Sequence, residues 1–376
     1  MCIRDSVRTG LAHYYGVGAY RRPMADVKSA RVKFATECLG FSNVPDARTM
    51  ALVADGAIPA PHHPKWKARV PRDSGSGYDF EDVRDHYLKE LFCTDAVTLR
   101  SQDLARYYAV SRAVSGEVMG RVFSEWRAPA SECGGGLVWF WRDLWPGAGW
   151  GILDSEGRPK AAYWALKRAW APQTVRLTDE GLDGLAIHVV NDGAEMLDAT
   201  VELEMLQGGR VIVAAPAKPV LVPARGGISI AADALVGYFT DSTNAYRFGP
   251  PKQDVVAVRL RRVGTREVIA EDFYFPAGMS LAPQRGVKVE HSAEWQGDGS
   301  VDITLSSDTF LQSVSLACEG FTPSDNHFHL SPSREKRIRF YPDVSPTGNI
   351  LRMQIEALNV TESIAVRAQR PEARAA

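Results

Sequence analysis

The chain has 376 residues, 45% hydrophobic and 24% charged, with 44 basic against 45 acidic side chains and a formal net charge of -1. This is the balance of a globular chain of two or three domains rather than a disordered one, and its evenly spread charge argues against a nucleic-acid partner. The five cysteines (Cys2, Cys38, Cys93, Cys133, Cys318) are odd in number and far apart, and no CxxC or Cys/His spacing sets up a metal tetrahedron. A reducing compartment is the simplest reading of them, and the location stays undetermined. No run of 18 apolar residues is present to span a membrane.

In chain order, Met1-Cys2-Ile3-Arg4-Asp5-Ser6 lacks the apolar core of a signal peptide and resembles a spurious leader left at the broken end of a gene. The protein is therefore expected to begin further upstream. His13-Tyr14-Tyr15-Gly16 places polar rings before a glycine-rich turn. Val32-Lys33-Phe34-Ala35 is a short strand running into Thr36-Glu37. Asp79 to Phe92 is predicted as a helix with Val83, Tyr87, Leu88 and Leu91 on one face. Ser101 to Trp126 is predicted as a longer one, capped by Ser101, with Val114, Val118 and Val122 repeating every four residues. Gly136 to Trp141 is continuously apolar, as in a strand buried on both faces. Pro159 fits the first turn of a helix running to about Trp170, and Pro172 ends it.

This order of strand, helices, strand and helix suits the end of an α/β barrel. Residues 1–172 fall well short of the roughly 250 that eight βα units require. Beyond residue 172 short alternating runs replace helical patterns, the signature of β-sandwiches. One sandwich begins with Leu185–Asn191 and Ala199–Leu206. A second takes Val287 to Ala368, with strands at Val301–Leu305, Ser313–Leu316 and Leu351–Ala357. The expected architecture is α/β plus all-β: part of a (β/α)8 barrel over residues 1–172, then immunoglobulin-like sandwiches over 173–280 and 281–376. No short-period repeat is found, and no low-complexity segment beyond an Ala/Arg-rich tail.

Glu37 is the first candidate for chemistry. A carboxylate at the C-terminal end of a barrel strand is where barrel enzymes place catalytic groups, although a strand-end carboxylate in a surface ion pair would look the same. Trp139, Trp141, Trp145 and Trp150 surround Asp143 in a second segment. Indole faces stack on the C–H faces of sugars while carboxylates hold hydroxyls, so Trp139, Asp143 and Trp145 suit a saccharide subsite. Trp141 and Trp150 read better as core. His13 and Tyr14 could hold the nucleophile or a sugar hydroxyl, or serve as structural hydrogen-bonding residues. His62-His63 lacks a carboxylate partner at ligand spacing, Gly134-Gly135-Gly136 precedes a strand rather than a helix, and no GxSxG or HExxH occurs. No metal and no organic cofactor is implied.

Together these segments resemble glycoside hydrolase family 2, in its β-mannosidase branch. Phe34-Ala35-Thr36-Glu37-Cys38-Leu39-Gly40-Phe41-Ser42-Asn43-Val44-Pro45 follows the family's nucleophile strand with small shifts. Val138-Trp139-Phe140-Trp141-Arg142-Asp143-Leu144-Trp145-Pro146, then Gly149-Trp150 and Asp154-Ser155-Glu156-Gly157-Arg158-Pro159-Lys160, follow its last barrel strand. His13-Tyr14-Tyr15 resembles the segment before the nucleophile. Gly181–Leu185 before a strand ending Asn191-Asp192, and Ser324–Leu330 with Pro332, resemble its sandwich domains. The resemblance implies a retaining glycosidase acting on a terminal β-linked sugar of a glycoside or oligosaccharide, mannose above all, with Glu37 as nucleophile. Trp139 and Trp145 would then line the sugar, and Asp143 would position a hydroxyl or brace the nucleophile.

Two departures touch the sugar site: Cys38-Leu39 stands where the family has one aromatic residue, and Arg142 where it usually has Asn. The family's acid/base is a Glu preceded by Asn, and no Asn-Glu pair occurs in the chain; in the family order it would lie upstream of Met1. Galactose or glucuronic acid in place of mannose, and a non-catalytic carbohydrate-binding module with a degenerate barrel remnant, remain open alternatives.

Overall fold

The computed structural model describes residues 8–54, 56–265, 267–343 and 350–370; the leader and the end of the Ala/Arg-rich tail lie outside the described residues. The chain divides into two compact units, Met1–Met205 with Ile212–Ser280, and Leu206–Val211 with Leu281–Ala376.

In the first unit, β1 (Leu11–Tyr14), β2 (Phe34–Cys38) and β3 (Gly136–Val138) form a parallel sheet in that order. Parallel neighbours need a crossover, and helices Phe80–Phe92, Ala96–Gln102 and Leu104–Trp126 lie on the connection from β2 to β3. β2 carries one residue more than either neighbour. Ala12 pairs with Ala35 but His13 with Glu37, and Ala35 pairs with Gly136 but Cys38 with Val138. Such a bulge breaks the two-residue alternation and re-aims side chains. Ala35 and Cys38 are both fully buried, whereas Thr36 and Glu37 are both half-buried.

The helix Phe80–Phe92 starts where the sequence places it, because Asp79 and Asp82 form a reciprocal capping box. Its predicted apolar face is buried. The expected helix from Ser101 is two helices. Asp103 accepts from the Arg106 amide and caps Leu104–Trp126, while the Ser101 hydroxyl donates to Thr98 O in the last turn of Ala96–Gln102. The valine stripe of the longer helix is buried. Gly116 packs on the helix Ala161–Ala169, where a Cβ would sit 3.2 Å from that of Ala165. That helix follows Lys160, one residue beyond Pro159.

The strand expected over Gly136–Trp141 ends at Val138 and is not buried on both faces. β3 pairs with β2 alone on an edge of its sheet, and Leu137 is exposed. Trp141, read as a core residue, lies beyond the end of β3 and is 60% exposed.

From Gln173 the first unit turns all-β. Strands β4 (Gln173–Asp179), β5 (Leu185–Asn191) and β9 (Gly226–Ala231) make one antiparallel sheet. β6 (Leu197–Gln207), β7 (Arg210–Ala214), β8 (Lys218–Val222), β10 (Val255–Arg262) and β11 (Val268–Tyr274) make the other. Val175, Ile187, Val189, Val201, Leu203, Val256, Val258 and Leu260 fill the core between them.

The second unit has two four-stranded sheets. One runs β12 (Val289–Trp295), β13 (Val301–Ser307), β17 (Lys336–Pro342), β15 (Phe321–Pro323). The other runs β16 (Phe328–Leu330), β14 (Leu311–Cys318), β18 (Ile350–Glu356), β19 (Ile364–Gln369). Alternate residues of facing strands, among them Val301, Ile303, Leu305, Ile338, Phe340, Leu351, Met353 and Ile355, make its core. Among the described residues no helix is long and apolar enough to cross a membrane.

Candidate active site

The bulge in β2 presents Glu37 beside the end of β1. Tyr15 donates its hydroxyl to Glu37 Oε2 at 3.0 Å, and His13 Nδ1 lies 3.2 Å from the same oxygen. Burial, and then the Glu37 carboxylate, push the Tyr15 phenol above its ordinary value, so it stays protonated and donates. Glu37 keeps 31% of its side chain accessible.

Tyr14 is not part of this arrangement. Successive side chains of a strand point to opposite faces, so Tyr14 turns from Glu37. It is 3% exposed, donates to Asp26 Oδ2 at 2.8 Å and packs edge-on against Trp126. Period-two alternation would have picked His13 and Tyr15 together once this stretch is read as strand.

An aromatic wall adjoins the pair. Trp139 follows β3, its amide donating to Cys38 O, and its ring packs edge-on against Trp150 at 6.1 Å. Trp150 also packs on Phe80. At Gly40 a Cβ would meet Trp150, Tyr15 and Phe80 at 3.5–3.6 Å, so Tyr15 and Trp150 are near neighbours across that glycine. Trp139 is 38% and Trp145 50% exposed, with the Arg69 guanidinium 5.6 Å over the Trp145 ring. Trp150 thus belongs to the wall as well as to the packing beneath it.

Asp143, expected to position a sugar hydroxyl or brace the nucleophile, does neither directly. It is 5% exposed, and both its oxygens are occupied. Oδ1 accepts from the Gly151 amide at 2.7 Å, and Oδ2 from Lys160 Nζ at 2.5 Å. Gly149 and Gly151 let the backbone close over the carboxylate, where any Cβ would collide with Asp143. Burial pushes the Asp143 carboxyl up and the Lys160 ammonium down, each opposed by the other's charge. Lys160 Nζ also donates to Asn43 O at 2.8 Å. Asn43 in turn donates through Nδ2 to Trp150 O at 2.9 Å. Arg84, fully buried, donates to Ser42 O at 3.2 Å and to the Tyr107 oxygen at 2.6 Å, and pairs with Glu81. Two buried cations thus hold the consecutive carbonyls of Ser42 and Asn43, just past the Glu37 strand.

The Asp154–Lys160 motif proves architectural. Asp154 Oδ1 accepts from the amides of Glu156 and Arg158, its other oxygen accepts from Thr49, and Gly157 takes a positive φ of 81° in the turn. At the two departures, Cys38 is buried with its thiol toward Leu137 O, and Leu39 makes a left-handed turn at φ 56°. Arg142 donates to Ser155 O at 2.5 Å. His63 caps the helix Pro64–Lys67 through Nδ1. Among the described residues no group of three His, Cys, Asp or Glu side chains could hold a metal ion.

Comparison with known proteins agrees with these motifs. The Ig_mannosidase family, an Ig-fold domain, matches residues 283–362. β-Mannosidase B of Aspergillus clavatus is 25% identical over 282 residues, 69% of this chain and 32% of that protein. That of Thermothelomyces thermophilus is 33% identical over 117 residues, 29% of this chain and 14% of that protein. The chain therefore spans about a third or less of the length of these relatives. In fold, the β-D-mannosidase of Dictyoglomus thermophilum matches 95% of this chain and 41% of its own, with a TM-score of 0.76 at 19% identity. The exo-chitosanase of Amycolatopsis orientalis matches 89% and 43%, with a TM-score of 0.64 at 15% identity. The chain is thus similar to β-mannosidases in sequence and shares the fold of a β-D-mannosidase, in each case over part of their length.

Proposed function

We propose that this chain carries the nucleophile half of a retaining β-glycosidase site, with Glu37 as the nucleophile and a terminal β-mannoside as the substrate. The observation that carries the reading is the half-exposed Glu37 carboxylate, oriented by Tyr15 and His13 beside the Trp139–Trp150 wall. In this reading the three parallel strands and their helices are part of a (β/α)8 barrel, and the two sandwiches are accessory domains. Glu37 attacks the anomeric carbon as the leaving oxygen departs, and water then cleaves the glycosyl ester with net retention. Trp139 and Trp145 stack on the sugar, while His13 and Tyr15 hold the carboxylate between steps. The β-mannosidase relatives support the choice of sugar.

Retaining hydrolysis needs a second carboxyl group about 5–5.5 Å from the first. With no Asn-Glu pair in the chain, the acid/base comes from residues other than these 376. Loss of a general acid costs roughly 10²–10⁴-fold, so the chain alone should turn over an aryl β-mannoside weakly. A glycosyl fluoride leaves without protonation and bypasses that deficit. Incubation with 2-deoxy-2-fluoro-β-mannosyl fluoride should add one glycosyl mass to the peptide containing Glu37, and Glu37→Gln should abolish it. Labelling of another residue, or of the Gln variant, ends the assignment.

A further inference from the structure

We propose that Lys160 is a positioning residue of the Glu37 site, one that sets the tryptophan wall against the nucleophile strand. The proposal rests on the nucleophile reading above and deepens it. Lys160 is 3% exposed and lies just before the helix Ala161–Ala169. Its ammonium reaches two different segments at once. It donates to Asn43 O, six residues past Glu37, and to Asp143 Oδ2 in the segment that bears Trp139, Trp145 and Trp150. The same two segments are joined again by the Asn43 amide to Trp150 O, the Ser42 hydroxyl to Ala148 O at 2.9 Å, and the Asn43 backbone N–H to Gly149 O at 2.9 Å. Of these links only the Lys160–Asp143 pair is ionic and enclosed.

An isolated buried charge is costly, and a buried pair is retained against that cost when its geometry is specific. Here the geometry is a fixed register between two segments that share no helix. Apolar packing could hold them together without fixing their offset. Through Trp150, which neighbours Tyr15 across Gly40 and packs on Trp139, that offset becomes the distance between the carboxylate and the surface on which the sugar stacks. Arg84 holds the adjacent carbonyl of Ser42 from the helix Phe80–Phe92, so it anchors the strand exit to the scaffold without touching the tryptophan segment.

The test is saturation kinetics of labelling by 2-deoxy-2-fluoro-β-mannosyl fluoride, followed by intact mass, which separates reagent affinity from the maximal labelling rate. A misplacement of about 1 Å costs up to roughly a hundredfold, so Lys160→Met is expected to weaken reagent affinity about tenfold or more. The maximal rate should stay within about threefold, because Glu37 keeps Tyr15 and His13. Lys160→Met leaves Asp143 alone in the interior and can fail to fold, so the deciding protein is the double variant Asp143→Leu/Lys160→Met. With both charges of the pair gone, it should regain most of the wild-type melting temperature and keep the weakened affinity. Affinity that recovers together with the melting temperature makes Lys160 merely structural and overturns the proposal, as does a folded single variant with wild-type affinity. If the label lands on a carboxylate other than Glu37, the nucleophile reading fails, while the affinity shift still reports on the aromatic wall. Absence of any label on the wild-type chain counts against both.

Discussion

The parallel-sheet region and the C-terminal sandwich use charge in opposite ways. Around the Glu37 strand, Glu81, Arg84, Asp143 and Lys160 are buried and hold loops in register. In the sandwich the interior is apolar, and its main ionic cluster sits on an outer sheet face, with Asp302 gripped by the half-exposed Arg337 and Arg339. A sandwich specifies itself by alternation, since a strand slipped by one residue turns its apolar face to water. Loops at the end of a parallel sheet have no such constraint and need directional bonds. Enclosed ionic groups therefore mark where the fold holds an irregular constellation.

Removing Arg84 should have the largest effect on this comparison. Arg84→Met leaves the buried Glu81 to Lys67 and Trp66 alone and frees Ser42 O, so the first unit should lose about 3 kcal/mol in urea unfolding. The second unit, with its separate core, should unfold at an unchanged midpoint. A single transition shifted as a whole would mean that the two units are not energetically separate.

Asp302→Asn should cost less, on the order of 1–3 kcal/mol in the second unit, because its arginines stay partly solvated when the charge is lost. The hydrogen bond from Arg339 holds the Asp302 carboxyl down at about 2. A depressed acid stabilises the fold above its unfolded value and loses that contribution as pH falls through about 2. Wild type and Asp302→Asn should therefore differ at pH 6 and converge at pH 2. A constant difference across that range would show that shape rather than charge matters.

The smallest effect is expected at Glu125, pushed up to about 7 by burial in spite of Lys28, and further by Glu180 and Asp179. A raised acid stabilises the fold below its unfolded value near 4.5 and loses that stabilisation as pH rises through about 7. Glu125→Gln should thus match wild type at pH 5 and exceed it at pH 8, by on the order of 1 kcal/mol in thermal unfolding. A variant less stable than wild type at pH 8 would show Glu125 to be paired when ionised.

Much of the fold was legible in the chain because the signals are local. Strand Leu185–Asn191, the capped helix beginning at Phe80 and the change of pattern near residue 172 each follow from neighbours a few residues apart. The helix start at Leu104 is written in the sequence too, in the Asp103 carboxylate that caps it two residues past Ser101. Glu37 could be named from its motif. Its partners could not, because Tyr14 and Tyr15 look alike in sequence and only the strand's alternation chooses between them. Asp143 looked like a sugar ligand for a similar reason: nothing near it in sequence announces a lysine 17 residues on.

By itself, then, the sequence determined the elements, the nucleophile candidate and the aromatic segment, all of which rest on short-range pattern and residue chemistry. Tertiary structure alone decided which side chains meet. It put a bulge in β2 that leaves both Thr36 and Glu37 half-buried, buried Asp143 against Lys160, and left Trp141 exposed beyond the end of β3. Those outcomes depend on strand register and on burial. Both are set by the packing of segments distant in sequence, where an unpaired charge is too costly to leave and a one-residue offset reverses which face a side chain takes.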